Sequence, residues 1–187
     1  HWPENAADKA ALADKRLQHW AWQPLTKFST PQSIDSIIHA KLAENKLQPS
    51  PEADRRTLIR RLTFDLHGLP PTPAEVEAFL QDQDPKAYEK LIDRLLASDG
   101  YALHWFNYWA DVLRYTDVLS TDLRGEPYRQ WIKQSLAENK PWDDFVHSML
   151  TAEGLIWDKP EAGYYLRDSG MPLDNMNNSV RIFLGTR

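Results

Sequence analysis

Ser50-Pro51-Glu52-Ala53-Asp54-Arg55-Arg56-Thr57-Leu58-Ile59-Arg60-Arg61-Leu62-Thr63-Phe64-Asp65-Leu66-His67-Gly68 decides the fold class, and Thr72-Pro73-Ala74-Glu75 just beyond it repeats the signal. Leu58, Ile59, Leu62 and Leu66 fall on one face at helical spacing, with Arg55, Arg56, Arg60 and Arg61 largely off that stripe. Ser50 before Pro51 reads as a helix start, because a side-chain oxygen accepts a first-turn N–H and proline at the next position loses no needed bond. Gly68 reads as the stop, since glycine adopts the left-handed conformation that ends many helices. Thr72 and Glu75 have the spacing of a capping box, in which each side chain accepts a bond from the other residue's backbone N–H.

Working outward, the same punctuation recurs. Thr30-Pro31 and Asp84-Pro85 are further start marks. The first is followed by Ile34, Ile37, Ile38 and Leu42, the second by Tyr88, Leu91, Ile92, Leu95 and Leu96. Val76, Phe79 and Leu80 mark a short helix between them. Gly100 precedes an aromatic helix that runs through Tyr115. After a polar stretch from Ser120 to Gly125, Pro127 opens a helix with the stripe Trp131, Ile132 and Leu136 and a stop near Asn139. Pro141 opens the next, with Asp143 and Asp144 at its positive end and Trp142, Phe145, Val146, Met149 and Leu150 on its apolar face, ending near Gly154. Pro160, Gly163, Gly170 and Pro172 make 155–172 a loop. A last helix carries Leu173, Met176, Val180, Phe183 and Leu184. No segment shows strand alternation. The expectation is therefore all-α: a single orthogonal bundle of about seven to eight helices over 30–187, with residues 1–29 as an extended arm laid on it through Trp20, Trp22 and Phe28.

Composition narrows the function classes. Of 187 residues, 42% are hydrophobic, enough for one continuous core. The 22 Lys+Arg against 27 Asp+Glu, net -5, argue against a nucleic-acid partner. No run of about 20 apolar residues spans a membrane. Cysteine is absent, which removes disulfides, thiolate metal sites, a cysteine nucleophile and covalent haem attachment through C-x-x-C-H. The six histidines form no H-x-x-x-H or H-E-x-x-H pair, so a zinc enzyme is not expected. The chain begins His1-Trp2-Pro3 without a signal-peptide core, so it reads as a mature chain or a piece of a longer one.

The aromatic helix is the one place where chemistry is concentrated. Trp105, Phe106, Trp109 and Val112 form an apolar face. His104, Tyr108, Asp111 and Tyr115 run along another, followed by Asp117. Asp111 and Arg114 are three residues apart and close enough to pair. Two readings stay open. In one, His104, Tyr108, Asp111, Arg114, Tyr115 and Asp117 line a polar pocket, with Asp111 as base or ligand, Arg114 as anion clamp and Trp105 and Trp109 as pocket aromatics. In the other, Asp111 and Arg114 are a structural ion pair and the tyrosines tie helices together, the commoner arrangement at helix interfaces. Asp111, Asp117 and Asp122 offer oxygen ligands, but their spacing fits no EF-hand loop, and no metal is expected. The arginines of 55–61 are either a docking patch for an acidic partner or glycan, or a solvated face.

Ile34-Asp35 to Leu42, Leu47 to Leu62, Phe64 to Pro73, His19 to Pro24, Leu91 to Ser98, Trp105 to Asp117 and Tyr128-Arg129 to Trp131 together resemble the planctomycete-type cytochrome-associated domain of unknown function. The resemblance covers nearly the whole chain from His19. It implies an exported bacterial protein, periplasmic or at the cell surface, commonly of many domains. Relatives place a C-x-x-C-H-like segment soon after the counterpart of Phe183-Leu184-Gly185, whereas this sequence ends at Arg187. Haem c is thus expected in a downstream segment, with the remainder of the parent protein as partner. The sequence departs from its relatives at His67 and His104. No reaction comes with the resemblance. The readings that follow are an accessory domain of a haem c-associated redox protein, its pocket lined by Trp105, Trp109, Tyr115 and the 155–172 loop; a non-catalytic scaffold binding a redox partner, another protein or a glycan; and, with least support, an enzyme using Asp111, Arg114 and Tyr115.

Overall fold

A computed structural model describes residues 17–19, 23–24, 33–118 and 124–185. The chain divides into two compact units, His1–Glu52 and Ala53–Arg187. Among the described residues there are nine α-helices and no strand, only one isolated antiparallel bridge between Val118 and Arg124. The all-α expectation holds. The arm residues Trp20, Trp22 and Phe28, and the start mark Thr30-Pro31, lie outside the described residues.

In the first unit, α1 spans Ile34–Glu44, and the Ser33 hydroxyl accepts the Ser36 N–H at 3.1 Å as its cap. It closes with Leu47 N–H on Leu42 O and Lys46 N–H on Ala43 O, a Schellman end that puts Lys46 at φ 57.

In the second unit, α2 spans Arg55–His67. Its start corrects the sequence reading: Asp54, not Ser50, is the cap. The Asp54 carboxylate takes both the Thr57 N–H and the Thr57 hydroxyl at 2.9 Å, so two donors converge on one side chain and Pro51 stays outside the helix. Those bonds hold the Asp54 carboxyl below its usual range. Gly68 ends the helix at φ 70, as expected. The capping box is present at α3 (Pro73–Gln81), with Thr72 and Glu75 bonded reciprocally. Before α4 (Ala87–Leu96), Asp84 forms a turn instead of a cap. Its carboxylate accepts the Lys86 N–H and its carbonyl the Ala87 N–H. Ile59, Phe79, Ala87, Leu91 and Leu95 from α2, α3 and α4 make an aliphatic core, with Leu62, Leu66 and Val76 against it. Arg55 belongs to this packing. It donates to Phe79 O and Asp82 O and lies over the Phe79 ring, so it closes the end of α3. Arg56 faces Glu77 at 3.9 Å, while Arg60 and Arg61 are exposed.

The aromatic helix, α5, spans Asp99–Val112. Gly100 lies inside its first turn rather than before it, and Tyr115 lies beyond its end. Then come α6 (Glu126–Ala137) and α7 (Trp142–Leu150). The segment 155–172 is not simply a loop: it holds a 3-10 turn at Pro160–Ala162 and a helical turn, α8, at Gly163–Leu166. Burial explains this, because Ile156, Tyr164 and Asp168 are enclosed and buried backbone needs internal partners. The last helix, α9, spans Pro172–Leu184. A second core joins Leu113, Tyr128, Ile132, Phe145, Met149, Ile156 and Tyr164, ringed by Trp109, Trp131, Phe106 and Phe183 among others.

Candidate functional site

At its C-terminus α5 ends in another Schellman motif, with Tyr115 N–H on Ala110 O and Arg114 N–H on Asp111 O. This puts Arg114 at φ 57 and turns its side chain away from Asp111. Arg114 pairs instead with Asp168, Nη1 to Oδ2 at 2.9 Å, while Asp111 stays exposed. The expected Asp111–Arg114 pair does not form because the helix ends between them and the chain reverses. Asp168 is buried and also accepts from Asn178 Nδ2. Arg167 Nη1 donates to Arg114 O at 2.9 Å, satisfying a carbonyl that the helix end leaves free. Arg114, Thr116, Val118, Arg167, Asp168 and Met171 surround an open cavity of about 380 Å³. Sequence reasoning found Arg114 but missed Arg167 and Asp168, which lie in the segment read as loop.

The other residues singled out disperse. Tyr115 donates its hydroxyl to Asp117 Oδ1 at 2.6 Å, and burial followed by this carboxylate raises its ionisation. Its ring faces Phe106 and Tyr128 in the aromatic core. Tyr108 is exposed, edge-on to Trp105 and Trp109. Trp109 is half-buried against Trp142, ring centroids 4.9 Å apart. The Trp105 Nε1–H is buried and has no bonded partner among the described residues. Asp122 lies outside the described residues, and among the described residues no group of three or more His, Asp or Glu is placed to hold a metal ion.

The two histidines meet at one helix crossing. A Cβ on Gly68 would fall 2.3 Å from His104 Nδ1, and a Cβ on Gly100 3.1 Å from His67 Nδ1. Each glycine makes room for the imidazole of the opposite helix, so α2 and α5 interlock reciprocally. His67 Nε2 further meets Ser98 Oγ at 2.7 Å and Leu95 O at 3.1 Å.

The second surface feature is apolar. Trp142, Val146 and Leu150 of α7 and Val180, Phe183 and Leu184 of α9 wall a groove of about 500 Å³, with Asp143, His147 and Ser179 also lining it. Trp142 is 48% exposed and Leu184 70%, so the groove presents hydrocarbon to solvent. Trp105, Trp109 and Tyr115 are not among its lining residues. Trp109 reaches it only through its contact with Trp142.

Fold and site define a helical domain that carries a polar bowl and an apolar groove. The chain belongs to a family of unknown function, PSCyt2 (DUF1549), whose model matches residues 33–182. No curated protein and no solved structure matches it.

Proposed function

We propose that the chain is a helical accessory domain of an exported, haem c-associated redox protein, acting as a packing wall for a haem-bearing segment. The apolar groove between α7 and α9 carries this reading. Its mostly hydrocarbon lining suits the apolar face of a macrocycle, and His147, also in the lining, offers an imidazole nitrogen, a ligand type that haem iron takes. The chain has no thiol, so attachment belongs to the other segment. When bound, the haem supplies one-electron transfer. The residues of this chain exclude water from it and orient it. Export is part of the same proposal; among the described residues no helix is long and apolar enough to cross a membrane.

Titration with a haem c peptide, porphyrin joined by thioethers to a C-x-x-C-H segment, tests this. Saturable quenching of tryptophan fluorescence is expected, because Trp142 lines the groove. Val146→Asp should weaken it at least tenfold with the helical circular dichroism unchanged. Quenching that rises without saturation, or that Val146→Asp leaves alone, overturns the proposal.

A second reading, a module binding another protein or a glycan, draws on Trp157. It is 62% exposed and directly follows buried Ile156 in the chain, and exposed tryptophans commonly serve as contact anchors.

A further inference from the structure

Three described helices end in the same Schellman motif with a non-glycine residue at positive φ: Lys46, Arg114 and Asn139. Lys46 and Asn139 are exposed, and asparagine tolerates this conformation. Arg114 differs. Its guanidinium is anchored by Asp168, whose side chain is only 6% exposed, and its carbonyl is held by Arg167. A position that favours glycine is thus given to a cation fixed at the edge of a cavity, and backbone strain of this kind collects at binding sites.

The charges of the bowl are unequal. Among the described residues its lining holds two arginines and one carboxylate, and that carboxylate is already engaged by Arg114 and Asn178. Each guanidinium has five N–H donors. Arg114 commits one to Asp168 and Arg167 one to the Arg114 carbonyl, and among the described residues the other donors of both are uncommitted. A planar fork matches a carboxylate in bidentate fashion. Val118 and Met171 add hydrocarbon to the lining.

We propose that this bowl binds the carboxylate of a small organic acid, with Arg167 and Arg114 as the clamp, Asp168 as the residue that positions Arg114, and Met171 and Val118 against the body of the ligand. The site is separate from the apolar groove and does not depend on haem. Propionate and glucuronate probe an apolar and a sugar-like body respectively, and propionamide is the uncharged control. In the ¹⁵N-labelled chain, saturable movement of the arginine Nε–Hε signals is expected with at least one acid and none with propionamide. Arg167→Ala should weaken binding at least tenfold. Arg167→Lys, which keeps the charge and a donor for the Arg114 carbonyl, should lose less. Raising the salt concentration should weaken binding. Which acid binds tells whether the body is apolar or hydroxylated. Equal response to propionamide, undiminished binding by Arg167→Ala, or no saturation with either acid overturns the proposal.

Discussion

The two interiors of the larger unit are made of different material. The core of α2, α3 and α4 is mostly aliphatic, and each buried residue lies on a helix face. The core of α5, α6 and α7 is largely aromatic and is completed by Ile156 and Tyr164 from the connection before α9. Trp131 stacks on Phe145 at 4.9 Å and on Tyr128 at 6.0 Å, and Tyr128 is 1% exposed with its hydroxyl 3.3 Å from Met149 Sδ. Burial pushes the Tyr128 ionisation up. Leucine and isoleucine can close a core from helix faces alone. Broad rings leave gaps at their edges, and here the chain between α7 and α9 folds inward to fill them.

Three tests probe this contrast, the largest effect first. Tyr128→Ala removes a ring with no room to collapse and should cost about 3–5 kcal/mol in chemical denaturation; Leu91→Ala should cost about 2–4 kcal/mol. If the cores act independently, the double variant should show the sum within about 0.5 kcal/mol. A large coupling energy would merge the two cores into one. Gly163→Ala belongs to the same test, because its Cβ would sit 2.4 Å from the Tyr128 Cβ. It should lower stability by about 1–3 kcal/mol although it adds one methyl.

Next, Gly68→Ala combines a strained left-handed position with a clash against His104, and should cost about 1–2 kcal/mol. Adding His104→Ala should recover the steric part and leave the backbone part. Recovery of none would show that the imidazole does not fill the space above Gly68.

The smallest effect lies at the edge of the aliphatic core. Thr72→Ala should cost about 1 kcal/mol. The backbone N–H of Thr72, then its hydroxyl, holds the Glu75 carboxyl below its usual range. A lowered carboxyl stabilises the fold above its unfolded-state pKa, and that contribution is lost as pH falls through the folded value. The difference in melting temperature between the parent chain and Glu75→Gln should therefore narrow below about pH 4. A constant difference from neutral pH to pH 3 would remove Glu75 from the acid response.

Helix existence was legible wherever apolar residues recur at i, i+3 and i+4, so the five residues of the aliphatic core were in view except Ala87. Starts were less legible: Ser50-Pro51 carries the start signal, yet the helix begins at Asp54, whose carboxylate takes two donors from Thr57. The site was legible in one residue. Arg114 stood out beside aromatic neighbours, but its partner Asp168 is 54 positions away, a separation no periodicity reports. The groove escaped because its walls read as ordinary amphipathic faces. That α7 and α9 leave those faces open is a property of packing, not of either helix alone.

The reciprocal fit of His67 over Gly100 and His104 over Gly68 works like two meshed teeth. Sliding either rod by one residue means about 1.5 Å of travel and about 100° of rotation. That would swing a bulkier side chain into the notch and drive an imidazole against it. The crossing therefore has a single register, and the aliphatic half is indexed to the aromatic half by two rings and two missing methyl groups.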